Sequence, residues 1–124
     1  MKQLFIIPLL LISLISSPSW GADYKKGLTA YQNRDFATVL KEWKPLAEQG
    51  YANSQSILGF LYEKGKGVPQ DFIYAHMWWN IAASNGIESA REMLKRIEKK
   101  ITTSDISEAQ RLARECVKKN YKGC

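Results

Sequence analysis

Residues 71–86, DFIYAHMWWNIAASNG, repeat at a constant shift of 36 the pattern of residues 35–50, DFATVLKEWKPLAEQG. Asp-Phe opens both stretches, Trp79 answers Trp43, Ala82-Ala83 answer Leu46-Ala47, and Gly86 answers Gly50. An internal repeat constrains a fold strongly, because each unit must hide its apolar side against the next. Neither stretch alternates polar and apolar residues as a half-buried strand does. Val39, Trp43 and Leu46 recur at spacings of four and three, as do Ala75, Trp79 and Ala82, which places each set on one stripe of an α-helix. Asp35 and Asp71 stand where an N-cap carboxylate accepts first-turn amide protons. Gly50 and Gly86 stand where a chain leaves a helix in the left-handed conformation.

Upstream of each stretch lies a second predicted helix, Asp23 to about Asn33 and Ala52 to about Lys64. Each carries an interior glycine, Gly27 or Gly59. Such a residue costs ~1 kcal/mol relative to alanine and implies that another backbone approaches closely there. Gly27 precedes Asp35 by 8 residues and Gly59 precedes Asp71 by 12, so the second copy has a four-residue insertion in its turn. That turn, Gly65-Lys66-Gly67-Val68-Pro69-Gln70, combines glycines for unusual dihedrals with a proline that stops a helix. After Gly86, Ala90, Met93, Leu94, Ile97 and Ile101 form one apolar stripe, and Ile106, Ala109, Ala113, Cys116 and Val117 form another. Thr102 to Asp105 supply cap residues between them, with Glu108 three residues beyond Asp105 as capping-box partner. The expected fold is all-α, a helical-hairpin solenoid of about three α-hairpins.

The second copy, with Ala52, Leu58-Gly59, Tyr62, Gly65, Gly67-Val68-Pro69, Asp71, Ala75, Trp78-Trp79, Ala82-Ala83 and Gly86, resembles the Sel-1-like repeat family, relatives of tetratricopeptide repeats. The first copy lacks the insertion, has Arg34 where a turn glycine is usual, and carries Pro45 inside its second helix. It reads as a degenerate repeat over 23–51, followed by the full repeat over 52–86 and a capping hairpin over 87–124. The resemblance implies scaffolding through protein–protein contact, without chemistry or cofactor.

Ahead of the repeats, Lys2, an apolar run from Leu4 to Ile15 and small residues at Ser16, Ser17, Ser19, Gly21 and Ala22 have the layout of a secretory signal peptide over 1–22. Cleavage after Gly21 or after Ala22 both remain open. The apolar run is too short for the ~30 Å hydrocarbon core, so no stable membrane span is expected after cleavage. The expected location is periplasmic or secreted.

Two cysteines, Cys116 and Cys124, near the chain end of an exported protein point to a disulfide. They also look like the inter-repeat linkage of cysteine-rich Sel-1-like proteins. With two thiols and one distant histidine, His76, no four-ligand zinc set is expected. His76 is expected as a partly exposed surface residue, and the repeat pattern offers no catalytic constellation. Gly65 and Gly67 lack the Lys-Ser or Lys-Thr of a phosphate loop.

Of the net charge of +6, the excess sits late: residues 91–124 carry ten Lys or Arg against five Asp or Glu, whereas residues 23–90 carry seven of each. Export argues against nucleic acid as a partner. An acidic protein, an anionic envelope glycan or a lipid surface is the natural attractor for the basic third, and the solvated faces of two surface helices are the stronger explanation of it.

In helical-hairpin arrays the first helices of successive units line the concave face. Measured from Gly27 and Gly59 and carried forward by the repeat shift, the inward positions are Tyr24, Leu28, Tyr31, Asn53, Ser56, Phe60, Glu63, Glu92 and Arg96. The set starts aromatic and ends charged, which suits an extended peptide or exposed helix of a partner protein. The alternative for Leu28 and Phe60 is a role in packing alone. Two rival functions remain: binding or hydrolysis of a cell-wall fragment or β-lactam, as associated with cysteine-rich relatives, and end-to-end self-association.

Overall fold

A computed structural model describes residues 23–124, so the signal-peptide reading of 1–22 lies outside the described residues. These residues form six helices and no strand: α1 (Tyr24–Gln32), α2 (Phe36–Glu48), α3 (Ala52–Lys64), α4 (Phe72–Ser84), α5 (Glu88–Ile97) and α6 (Thr103–Lys118). The architecture is all-helical, as the tandem pattern predicts. None of these helices is long and apolar enough to cross a membrane.

The helix boundaries follow from local chemistry. Asp35 accepts from the Thr38 amide (3.3 Å) and Asp71 from the Tyr74 amide (2.9 Å), so both expected N-caps form. Gly50 and Gly86 leave α2 and α4 at φ +97° and +101°. At the start of α6 the capping box differs from expectation. Thr102 is the N-cap, its hydroxyl accepts from the Asp105 amide, and Asp105 reciprocates, while Glu108 pairs with Arg111 instead. Because the helix starts at Thr103, Asp105 is its third residue and Thr102 its N-cap, the two positions a capping box links.

The α1–α2 and α3–α4 hairpins are each locked by one tryptophan lying on one glycine. Trp43 and Trp79 are 2% and 1% exposed. A Cβ at Gly27 would come within 2.1 Å of the Trp43 ring, and one at Gly59 within 2.6 Å of the Trp79 ring. The close neighbour of each glycine is thus an indole rather than a backbone. Both indole Nε1–H groups donate to carbonyls three residues before those glycines, Tyr24 O (3.1 Å) and Ser56 O (3.0 Å). A large aromatic is buried with its one donor satisfied, and the device repeats in register despite the insertion between.

The closely packed helix pairs are α1–α2, α2–α3, α3–α4, α4–α5 and α4–α6. The third unit therefore departs from a simple hairpin, since α5 and α6 both pack on α4. One core runs through Val39, Leu46, Leu58, Leu61, Trp78 and Ile81 to Ala113 and Cys116. A second joins Trp79, Ala82 and Ala83 to Ala90 and Ile97. With α3, α5 and α6 all around it, α4 buries residues on every side. This corrects the expectation for His76, which is 1% exposed with Nε2 2.7 Å from Glu98 Oε2. Val117, assigned to the α6 stripe, is instead half exposed at 50%.

The chain end folds back over the corners of the array. Cys116 and Cys124 form a disulfide with a Cα–Cα distance of 5.7 Å. The turn it closes sends the Gly123 amide to Glu48 Oε2 (3.2 Å), and the Tyr121 hydroxyl accepts from Asn85 Nδ2 (3.2 Å). Asn85 also donates to the buried Gln55, whose Nε2 donates to Ala47 O, so the tail joins from the surface a polar chain that leads inward. Replacing both cysteines by alanine is expected to cost roughly 2–3 kcal/mol from the short loop alone, read by urea denaturation. An unchanged midpoint would remove the stapling role.

Candidate functional site

On α1, Tyr24, Leu28 and Tyr31 fall at helical spacing, and α3 presents Asn53, Ser56 and Phe60 in the same way. The helices α1 and α3 are not among the closely packed pairs. They meet through side chains such as Tyr31 and Phe60, whose ring centroids are 6.3 Å apart. The space left between them is a two-chambered groove.

The first chamber, about 300 Å³, is lined by Tyr24, Leu28, Tyr31, Asn53 and Ser56, together with Trp43, Ile57, Ile87 and Ser89. Five of the nine predicted positions thus share one cavity. Trp43 is its rigid floor, with Tyr24 and Tyr31 stacked on it at centroid distances of 5.1 and 6.2 Å, both inclined by 19°. The hairpin lock therefore also shapes the groove. Tyr24 and Leu28 remain 43% and 39% exposed, so apolar surface at this cavity is open to solvent.

The second chamber, about 370 Å³, shares Tyr31 and adds Phe60, Phe36, Gln32, Arg34 and Lys66. Its shape depends on two turns. Arg34 holds φ +60° in the short α1–α2 turn, and the longer α3–α4 turn reaches back so that Gly67 lies against Phe36 and Leu40. A Cβ on Gly67 would sit 2.8 Å from Leu40 Cδ1. This contact carries Lys66 over the Phe36 ring, 5.2 Å from its centroid. Sequence reasoning missed Arg34, Phe36 and Lys66 because it sought the site on the first helix of each hairpin, whereas these residues lie in turns or open the second helix. The departures that could have revealed them were an arginine in place of a turn glycine and the four inserted residues.

The charged end of the predicted set behaves differently. Glu63 is 2% exposed, and both its oxygens are taken by the Arg96 guanidinium, with Lys100 Nζ 3.8 Å away. Arg96 in turn lies over the Trp79 ring, 5.7 Å from its centroid. The Arg96 hydrogen bonds hold the Glu63 carboxyl below the usual glutamate range against the opposing effect of desolvation, and the same bonds raise Arg96. The pair clips α5 to α3. Glu92 is exposed and, like Glu63 and Arg96, lines neither chamber.

A separate cavity of about 330 Å³ lies between α4 and α6, where Ile81, Ala113 and Val117 meet Asn80, Ser84, Gln110, Arg114 and Lys118. It contains none of the predicted contact residues. Among the described residues, no group of three or more His, Cys, Asp or Glu side chains is placed to hold a metal ion.

No family model matches this chain, and no curated protein matches it.

Proposed function

We propose that this chain is an exported, non-catalytic Sel-1-like repeat protein whose α1–α3 groove binds an extended peptide or helix of another protein. The observation that carries this reading is the gathering of Tyr24, Leu28, Tyr31, Asn53 and Ser56 around one cavity floored by a buried tryptophan. Rigid aromatic walls present apolar area at small entropic cost, and Asn53, Ser56 and Ser89 supply hydrogen-bonding groups at the rim. The repeated Trp-on-Gly lock and the inserted glycine-rich turn support the family reading. The disulfide supports an oxidising compartment.

A random dodecapeptide display selection tests the binding role with no partner specified in advance. Immobilised protein is expected to enrich a limited set of peptides, and a Leu28→Asp variant, altered at a half-exposed groove position, is expected to lose that set. No enrichment, or recovery of the same peptides on the variant, would contradict the reading.

A further inference from the structure

The two chambers are chemically unlike. The first is walled by Tyr24, Leu28 and Trp43 with neutral polar residues at its edge. The second has an aromatic base of Tyr31, Phe36 and Phe60 but also holds Arg34 and Lys66, and no acidic side chain lines it. Neither cation pairs with a carboxylate among the described residues. Asp35, next in sequence to Arg34, is engaged elsewhere, accepting from the Thr38 amide and hydroxyl at 3.3 and 2.7 Å. Every other acidic residue of α1, α2 and α3 also has its partner: Asp23 caps α1, Glu42 takes the Asp23 amide and Lys26, Glu48 takes Lys44, and Glu63 takes Arg96. Two cations thus face an apolar chamber with unused donors. A guanidinium offers a planar fork that matches a carboxylate, and the Phe36 ring holds Lys66 beside it.

We infer that the groove selects an acidic peptide, with an apolar side chain filling the Tyr24–Leu28 chamber and a neighbouring Asp or Glu carboxylate seated between Arg34 and Lys66. This rests on the groove being the binding surface. It gives a use to an arginine that sits in a left-handed turn position glycine would occupy with less strain.

The test uses the display-selected dodecapeptides, made synthetically with amidated C-termini so that only side chains supply carboxylates. Enriched sequences are expected to place Asp or Glu beside an apolar residue. Exchanging that residue for its amide, or using an Arg34→Gly/Lys66→Ala variant, is expected to weaken binding about fivefold in fluorescence anisotropy. Binding to the parent is expected to weaken from about 50 to about 300 mM salt, and binding to the variant much less. Arg34→Gly suits the existing backbone, and a melting curve verifies folding; separate Arg34→Gln and Lys66→Gln variants replace the double variant if it melts early. Enriched peptides that are neutral or basic, or variants that bind as the parent does, would overturn the acidic assignment while leaving the groove reading intact. Failure to enrich any Leu28-dependent peptide would overturn both.

Discussion

Trp79→Ala is expected to lower stability by about 3–5 kcal/mol, the range for removing a buried tryptophan, with loss of the Nε1–Ser56 hydrogen bond included. For a domain of this size that is a large share of the total, so the variant should melt far below the parent or be partly unfolded at about 25 °C. The more informative measurement is the companion glycine. Gly59→Ala places a methyl 2.6 Å from the Trp79 ring and is expected to cost ~2 kcal/mol through overpacking. In the Trp79→Ala background that methyl has the vacated space to occupy, so the same change should cost little. Denaturation of the four proteins measures the coupling. Additive costs would mean that the indole and the glycine do not form a unit.

Arg96→Ala is the second large effect. Removing one partner of a buried ion pair strands the other charge at a cost of about 3–5 kcal/mol. Arg96 is 38% exposed and Lys100 lies near Glu63, so a loss of ~2–3 kcal/mol is expected here. With Glu63→Gln already present no charge is stranded, and Arg96→Ala should cost only ~1 kcal/mol, chiefly its cover over Trp79. Acid gives an independent check. The Glu63 carboxyl titrates lower when folded than its ordinary 4.5. Its stabilising contribution is therefore complete above the unfolded value and is lost as pH falls through the lower, folded one. The gap between parent and Arg96→Ala should be full at neutral pH and narrow as pH drops below that ordinary value. A gap independent of pH would show that Arg96 acts by packing alone.

The helices were legible because their signals are local. Stripes at spacings of three and four, Asp caps at 35 and 71, and closing glycines at 50 and 86 each act within a few residues, and the repeat shows them twice. What depends on distant neighbours was harder to read. Gly27 and Gly59 were recognisable as sites of close approach, but an indole and a backbone leave the same mark on a helix sequence. The surroundings of His76 include Glu98 at the end of α5, and no periodicity within α4 states which distant side chain its histidine will meet.

The groove divides in the same way. Positions counted from the repeat register gave the α1 and α3 walls around Trp43. The register also selected Glu63 and Arg96, whose mutual pairing cannot be deduced from spacing because they lie 33 residues apart on different helices. Arg34 and Lys66 belong to turns, where helical periodicity carries no information about direction. They enter the groove through a left-handed residue and a loop packed across Phe36 and Leu40.

The amide chemical-shift map of the protein, recorded with and without the tightest selected dodecapeptide, bears most directly on the proposed binding surface. Perturbations are predicted to cluster at Tyr24, Leu28, Tyr31, Asn53, Ser56 and Phe60. A map centred on Asn80, Ala113 and Val117, between α4 and α6, would contradict the account.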